Sequence, residues 1–188
     1  RLNPPLGTVT LPDMEKPLSP RVCMAGFLAL GLFASAYLLV VYVTGGPIAC
    51  GAAGGCETVR ASRWAMVGPI PLPAFGVAFY AGMLAMLVLR ALSPWRERLL
   101  HRLTLLAAFL AVAESVYLFF VQWLSIEAFC LWCLASGFAT LGTFAFAPFD
   151  RSSLTEAQRL ADLRGYAIVL GILAVLGAPA LWLLTRAR

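Results

Sequence analysis

Charged residues are scarce in this sequence. Asp, Glu, Lys and Arg make up only 12% of its 188 residues, and the single histidine, His101, is assigned no role. Hydrophobic residues make up 61%, well above the roughly 45–50% that is usual in soluble proteins. The chain also lacks an internal repeat, a phosphate-binding loop and a low-complexity segment. This composition excludes a separate soluble domain and indicates one integral membrane domain.

Five hydrophobic runs are long enough to cross a bilayer, which requires about 20 mainly apolar residues. The runs lie near residues 22–43, 74–92, 102–124, 127–147 and 165–185. We therefore predict an all-α integral membrane protein in which residues 22–188 form a single domain with five transmembrane helices. Residues 1–21 are rich in proline and lack a central apolar stretch, so we expect a cytoplasmic tail and no signal peptide.

Positive charge is concentrated in the connections between these runs. The net charge is +5, but the arginines do not form a stripe with interleaved aromatic residues, so nucleic acid is not an expected partner. Most Lys and Arg residues lie in the tail, the second connection and the fourth connection. Basic residues accumulate on the cytoplasmic side of membranes. The first connection, residues 44–73, and the short turn at 125–126 are then extracytoplasmic.

Four of the five cysteines lie in the first connection or just after the turn at 125–126, so they face the extracytoplasmic side, where disulfides can persist. Cys50 and Cys56 flank a loop of glycine and alanine, and Cys130 and Cys133 are spaced by one helical turn, which is compatible with a disulfide. Two neighbouring dithiol pairs predict a path for two electrons by thiol–disulfide exchange, with the glycine loop supplying mobility. The alternatives are two structural disulfides or a four-thiolate metal site. No metal site is predicted, and Cys23 is interpreted as an inert core residue.

The fourth run predicts different properties for its two cysteines. Ser125 is the expected N-cap of this helix, which places Cys130 near a helix N-terminus that stabilises a thiolate. Glu127, in the expected first turn, would partly oppose this effect. Cys133 lies one turn deeper, where an apolar electron acceptor dissolved in the bilayer, such as a quinone, can reach it.

At this point the sequence resembles a known family. The loop reads Cys50-x5-Cys56-Glu57-Thr58-Val59-Arg60-Ala61-Ser62-Arg63-Trp64. It is followed by Gly68-Pro69-Ile70-Pro71, Phe75-Gly76-Val77-Ala78-Phe79-Tyr80 and Cys130-Leu131-Trp132-Cys133. In this order, over residues 22–147, the segments resemble the vitamin K epoxide reductase family.

The resemblance implies a four-helix bundle around a quinone, plus the fifth transmembrane helix, with a short extracytoplasmic half-helix capping the pocket. It implies that Cys133 contacts and reduces the quinone and that Cys130 is its resolving partner. Cys50 and Cys56 are then the shuttle pair that accepts electrons from a thioredoxin-like protein. The resemblance leaves open which shuttle cysteine meets that protein.

Further candidates for the quinone site follow from the resemblance and from the cost of charge in a membrane. Ser62 lies in the capping segment, either near the quinone or as a simple helix or turn hydroxyl. Glu114 is an ionisable group near the middle of a span, where such groups are costly and often functional. It is expected either to belong to the pocket or a proton route, or to pair with a buried hydroxyl such as that of Ser115. Aromatic side chains are expected either to line the site or to act as packing and interface anchors: Phe75, Phe79, Tyr80, Tyr117 and Trp132.

The sequence departs from the animal enzymes at two polar positions of the quinone site. Leu72 stands where they have an asparagine, and Gly137 stands where they have a tyrosine. These changes favour quinone reduction coupled to disulfide formation over epoxide chemistry, which needs a positioned proton donor. The resemblance is therefore closer to the microbial branch.

Several expectations about context follow. Only residues 185–188 come after the fifth run, so no fused thioredoxin-like domain is expected and the partner is a separate extracytoplasmic protein. The quinone is of the ubiquinone, menaquinone or vitamin K type, and the protein is placed in a microbial inner membrane with its site on the periplasmic or extracellular side. The alternatives are vitamin K quinone or epoxide reductase activity, electron flow in the reverse direction, and a non-enzymatic scaffold with structural disulfides.

Overall fold

The computed structural model describes residues 19–51, 54–92 and 96–150. Its main elements are four long helices: α1 (Pro20–Thr44), α3 (Leu72–Leu92), α4 (Glu97–Val121) and α5 (Leu131–Phe146). All four are long and apolar enough to cross a membrane. The prediction of an all-α integral membrane protein is therefore confirmed. The fifth predicted span, residues 165–185, lies outside the described residues.

The first two spans begin slightly earlier than the sequence suggests. Ser19 caps α1 by accepting a hydrogen bond from the backbone N–H of Val22, and Pro20 occupies the first turn, where its missing N–H costs nothing. α1 ends at Gly45, whose left-handed conformation and N–H bond to Val41 close the last turn. α3 starts at Leu72, two residues before the predicted boundary.

The helices pack around α1, which contacts both α5 and α3, while α4 packs mainly against α5. The central core is built from buried apolar side chains of all four helices: Met24, Leu28, Tyr80, Met83, Leu87, Leu105, Ala108 and Ala139. Gly31 of α1 lies directly against the ring of Tyr80, so a side chain at this position would collide with it. Such small residues let transmembrane helices approach closely.

One end of the bundle is closed by a group of four charged side chains, three of them buried, here called the charge cluster. It contains Arg21 at the start of α1, Arg90 near the end of α3, Glu97 at the start of α4 and Asp150 just after α5. Arg90 donates to Glu97 at 3.0 Å and to Asp150 at 2.9 Å, and Arg21 donates to Asp150 at 3.0 Å. Each spanning helix thus has one charged residue at this joint.

The opposite end carries the connection between α1 and α3. A short helix, α2 (Cys56–Ala61), is followed by a 3-10 turn (Arg63–Ala65) and a small antiparallel hairpin of β1 (Met66–Val67) and β2 (Ile70–Pro71). The predicted half-helix corresponds to α2, whereas the sequence analysis did not predict the hairpin. A π-helical turn (Gln122–Ile126) extends α4 at the same end, and a 3-10 turn (Ala147–Phe149) follows α5 at the charged end.

Candidate redox site

All four paired cysteines lie in one buried cluster at the α2 end of the bundle. Cys50 and Cys56 form a disulfide, while Cys130 and Cys133 are thiols. Cys50, Cys56 and Cys130 are 7%, 0% and 1% exposed, and Cys133 packs against the same cluster. The structure therefore brings together the two pairs that the sequence analysis singled out, although more than 70 residues separate them along the chain.

The segment before Cys50 is fixed by hydrogen bonds from three helices. Ala49 donates its N–H to the hydroxyl of Tyr37 at 2.9 Å, and its carbonyl accepts the indole N–H of Trp132 at 2.8 Å. Ile48 donates its N–H to Glu57 at 2.9 Å. This segment is therefore positioned over the start of α5, and the mobility expected of the glycine loop does not extend to it.

The loop contacts the start of α5 most closely at Gly55. A Cβ atom at this position would lie 2.5 Å from the carbonyl oxygen of Phe129 and 2.9 Å from its nitrogen, which are distances that no real Cβ tolerates. Gly55 is the residue before Cys56, and Phe129 is the residue before Cys130. The absence of a side chain at Gly55 thus lets the backbone of one pair lie against the backbone of the other.

Gly55→Ala is expected to separate the two pairs. Its backbone conformation, φ −79°, suits any residue, so the effect is purely steric: the added methyl group must push the loop away from the Phe129 backbone. We expect exchange between the loop and Cys130 to slow at least tenfold, with a stability loss of about 1–3 kcal/mol from overpacking. Stopped-flow exchange kinetics measure the first effect. Gly46→Ala, in the same loop but with only an ordinary contact to Thr44, is the control, and equal exchange rates in both variants would contradict the prediction.

The start of α5 differs from the sequence-based expectation. Ser125 is not its N-cap, because Ser125 lies in the π-helical turn, and Glu127 then adopts a left-handed conformation, φ 56°, which breaks the helix. Cys130 itself occupies the N-cap position, and α5 begins at Leu131. Glu127 therefore lies before the first turn of α5 instead of within it, and the span starts four residues later than predicted.

Gln122 holds Cys130 in place, a role that the sequence analysis missed. Its side-chain oxygen accepts the N–H of Cys130 at 2.8 Å, and its backbone carbonyl accepts the N–H of Ala128 at 3.2 Å. Gln122 is 5% exposed and begins the π-helical turn, a feature that is frequent at functional sites. The one signal of this role in the sequence is that Gln122 is a polar residue at the end of an apolar span.

The surroundings of Cys130 favour its thiolate. The pKa of the Cys130 thiol is lowered from 9.0 to about 7, mainly because the thiol of Cys133 donates a hydrogen bond to it. Burial opposes this shift, and hydrogen bonds from the backbone N–H groups of Cys133 and Trp132 add to it. The expected effect of the helix start is thus present in the two backbone N–H groups, but the thiol of Cys133 lowers the pKa of Cys130 more than they do.

We expect Cys130 to titrate with a midpoint of about pH 7 in the reduced protein. Because its pKa lies below that of an ordinary thiol, the thiolate predominates above the midpoint and falls to about a tenth at about pH 6. The ultraviolet absorbance of the thiolate, taken as the difference between the wild type and Cys130→Ser, measures this. Cys133→Ala removes the main hydrogen bond and should raise the midpoint towards that of an ordinary cysteine. An unchanged midpoint in Cys133→Ala would contradict the assignment.

A cavity of about 510 Å³ opens beside Cys133 within the bundle. This volume lies in the range of about 300–1,000 Å³ that small-molecule sites occupy. The cavity lining is mostly apolar and comes from all four long helices, together with Val59, Trp64 and Ala65 from the α2 end. The arrangement suits a flat, apolar molecule with a few polar atoms, which is the chemistry of a quinone.

Five of the eight candidate residues for the quinone site line this cavity. They are Leu72, Phe79, Tyr80, Glu114 and Cys133. Gly137 also lines it, so both positions where polar residues of the animal enzymes are missing face the cavity. Each of these residues lies on the inward face of its helix, at spacings of three or four residues from other lining residues.

The other three candidates lie elsewhere. Phe75 is 43% exposed and is not among the residues that line the cavity. Trp132 projects towards Tyr37, with ring centroids 4.4 Å apart. Ser62 ends α2, where its hydroxyl donates to the carbonyl of Val59 at 2.7 Å, and it lines a separate shallow groove with Arg63. Of the two roles expected for Ser62, near the quinone or as a helix or turn hydroxyl, this geometry corresponds to the second. Tyr117 contacts Trp64 and is likewise outside the cavity lining.

The wall of the cavity below Cys133 is a hydrogen-bonded group formed by Tyr80, which was a candidate from the sequence, and by Ser136 and Thr140, which were not. The hydroxyl of Tyr80 lies 2.7 Å from the carbonyl of Ser136, 2.9 Å from its hydroxyl and 2.8 Å from the hydroxyl of Thr140. Ser136 and Thr140 follow Cys133 along one face of α5. Tyr80 therefore ties α3 to α5 directly beneath the deeper thiol.

The geometry can be compared with known families. A sequence model of the vitamin K epoxide reductase family matches residues 22–147, which contain all four long helices, the loop disulfide and the Cys130–Cys133 pair. The chain belongs to this family. The resemblance noted from the sequence is confirmed over the same residues. The family assignment makes the chain a membrane oxidoreductase. Members of this family generally use quinones.

Proposed function

We propose that this vitamin K epoxide reductase homologue is a quinone-dependent thiol–disulfide oxidoreductase of the microbial type. It passes electrons from a reduced thioredoxin-like protein through Cys50 and Cys56 to Cys130 and Cys133, and then to a quinone. The observation that supports it best is the single buried cluster in which all four cysteines meet, with Cys133 at the cavity. A scaffold held by structural disulfides has no need of a thiol pair that borders a cavity.

The loop pair acts first. A thiolate of the partner attacks Cys50, the more accessible of the two loop sulfurs, and forms a mixed disulfide while Cys56 leaves as a thiolate. A second partner thiol then attacks the mixed disulfide, which releases the oxidised partner and leaves Cys50 and Cys56 reduced. Cys56 is the cysteine that exchanges with Cys130, because the contact between Gly55 and Phe129 supports this pairing.

The inner pair acts next. Cys56 attacks the sulfur of Cys130 in the oxidised inner pair, and Cys133 leaves as a thiolate. Cys50 then attacks Cys56, which restores the loop disulfide and leaves Cys130 and Cys133 reduced. Cys133, Leu72, Phe79 and Tyr80 line the cavity, and they would hold a quinone there and exclude water from its apolar side. A quinone bound there would supply the acceptor for the two electrons and two protons.

The membrane orientation follows from the charges. The charge cluster marks the cytoplasmic end, in agreement with the excess of basic residues there, so the cysteines face the periplasmic or extracellular side of a microbial inner membrane. This side is oxidising and allows disulfides to persist. The partner is a thioredoxin-like protein with reduced thiols. The quinone is of the ubiquinone, menaquinone or vitamin K type.

Turnover of the purified protein in lipid nanodiscs tests the proposal. We expect one quinone to be reduced for each dithiol oxidised in a reduced thioredoxin-like protein. Cys50→Ser and Cys56→Ser should stop oxidation of the partner, but both variants should still reduce quinone after Cys130 and Cys133 have been reduced with a small dithiol.

Three other outcomes contradict the proposal in different ways. Loss of stability in the cysteine variants, without any quinone reduction by the wild type, would indicate the structural scaffold. Net reduction of an oxidised partner by a hydroquinone would indicate the reverse direction of electron flow. Turnover of vitamin K epoxide at the rate of the quinone would indicate the epoxide reductase alternative, which the apolar positions Leu72 and Gly137 disfavour.

A further inference from the structure

The cavity contains one carboxyl group. Among the described residues that line it, Glu114 of α4 is the single Asp or Glu, and its side chain is accessible. No hydrogen bond or ion pair joins its carboxyl to another described residue, and the pairing with Ser115 that sequence analysis considered is absent from these contacts. The remaining titratable groups of the lining are Tyr42 of α1, Tyr80 of α3 and Cys133 of α5.

A carboxyl within a transmembrane helix that has no partner among the described residues needs an explanation, because ionisable groups there are costly and usually serve a function. The described lining of the cavity contains no Lys or Arg that could neutralise a carboxylate. Glu114 must therefore hold a proton or accept a hydrogen bond from something bound in the cavity. In either case it presents an exchangeable proton or an acceptor to the cavity interior.

The position of Glu114 along the bundle complements that of Cys133. Glu114 precedes Gln122 by eight residues, or roughly 12 Å along α4, and Gln122 is bonded to Cys130. Cys133 follows Cys130 by three residues, or roughly 4.5 Å along α5. α4 ends and α5 begins at this joint, so the two antiparallel helices both extend from it into the bundle. The difference between the two distances places Glu114 deeper than Cys133 by roughly 7–8 Å. The cavity thus has a sulfur near its outer end and a carboxyl near its inner end.

The two tyrosines of the lining do not take the place of Glu114 as a proton donor at the inner end of the cavity. The hydroxyl of Tyr80 is already engaged by Ser136 and Thr140, and Tyr42 packs against the cysteine cluster at the outer end. Glu114 and Tyr80 both line the cavity, from α4 and α3 respectively. This leaves Glu114 as the inner proton-bearing group.

We propose that Glu114 binds the quinone oxygen that lies farther from Cys133 and donates a proton to it. This inference rests on the proposed function and identifies a further catalytic residue for it. The two oxygens of a quinone lie on opposite sides of its ring, so an outer thiol and an inner carboxyl can serve one each.

Protons and electrons balance in this step. Cys130 reacts as a thiolate and forms an S–S bond with Cys133, and the pair gives up two electrons to the acceptor. One proton comes from the thiol of Cys133 and the other from the carboxyl of Glu114, which becomes a carboxylate. Glu114 regains its proton from water before the next turnover, and the inner disulfide is reduced again by Cys56.

Glu114→Gln and Glu114→Ala test the assignment in protein whose Cys130 and Cys133 have been reduced beforehand. Gln keeps a hydrogen bond but cannot give a proton, so kcat for quinone reduction should fall about 100-fold or more while KM changes little. Ala should lower kcat similarly and also raise KM. Exchange between the loop and Cys130 should remain at the wild-type rate in both variants. Glu127→Gln makes the same chemical change outside the cavity and is the control.

An infrared measurement supplies a readout that does not depend on turnover. The C=O stretch of a protonated carboxyl should shift when a soluble quinone is added to the oxidised wild-type protein, and Glu114→Gln should abolish this shift. Wild-type kcat in Glu114→Gln, or a carboxyl band that does not respond to quinone, would overturn the inference. A wild-type protein that shows the band shift yet never reduces quinone would instead overturn the proposed function and leave the contact with Glu114 standing.

Discussion

Replacement of Cys133 by serine is expected to abolish quinone reduction, with a loss of at least roughly a thousandfold. The reason is that Cys133 is the one cysteine that lines the described cavity, and without its sulfur Cys130 has no partner for the S–S bond that releases two electrons. Anaerobic mixing of the pre-reduced protein with a soluble quinone, followed by absorbance, measures this step directly.

The same variant should accumulate a disulfide between Cys130 and Cys56. The Cys130 thiolate can attack the loop disulfide and release Cys50 as a thiol, but no Cys133 thiol remains to resolve the product. Non-reducing peptide mapping detects this cross-link. Cys23→Ser is the matched control, because Cys23 is also a thiol but lies near the start of α1, at the end of the bundle with the charge cluster. Full activity in Cys133→Ser, or the same loss in Cys23→Ser, would contradict the assignment.

The parts of the fold that sequence predicted well depend on hydrophobic length. Four of the five predicted spans correspond to helices of the structure, and all four helices end close to the predicted residue. The first two begin two residues before the prediction, and the third begins five residues before it, at Glu97. The start of the fourth span failed for a local reason. The left-handed conformation of Glu127 and the π-helical turn before it depend on tertiary contacts such as that of Gln122 with Cys130. The polar residue at the end of the span is visible in the sequence, but the backbone group that it binds is not.

The candidate site was predictable to the extent that it depends on cysteine spacing. The orientation of the other candidates was not, because a span that is apolar all round gives no signal for which face points inward. Phe75 and Phe79 are both aromatic residues of α3, yet only Phe79 lines the cavity. Trp132 is adjacent to Cys133 in sequence, and for that reason it projects to a different side of α5. The proposed roles of Glu114 and the cysteines remain predictions for the experiments above.

The ion pairs of the charge cluster could not be predicted from the composition of the chain. In the sequence analysis, Arg21 and Arg90 were counted among the basic residues that mark cytoplasmic connections. That topology prediction used only their positive charge. Their pairing with Glu97 and Asp150 joins residues up to 129 positions apart, and the side chain of Arg90 is 0% exposed. A charge that serves as a topology signal in the sequence is also a structural tie between helices.

Replacement of Arg90 by methionine is accordingly expected to cause the largest loss of stability. Methionine matches much of the length of the arginine side chain but leaves Glu97 and Asp150, which are only 6% and 4% exposed, with Arg21 as their remaining partner within the cluster. Removing one member of a buried ion pair typically costs about 3–5 kcal/mol, because the other charge stays buried without compensation. Reversible unfolding in mixed detergent micelles measures the free energy of unfolding.

Arg21→Met provides the graded comparison within the same cluster. The side chain of Arg21 is 31% exposed, so water can partly replace its interactions and the loss should be nearer the roughly 1 kcal/mol of surface pairs. Because the cluster lies at the opposite end of the bundle from the cysteines, the folded fraction of both variants should keep the wild-type rate of exchange between the loop and Cys130. Equal destabilisation by the two substitutions, or a loss below about 1 kcal/mol in Arg90→Met, would show that burial of Arg90 does not control the stability of this joint.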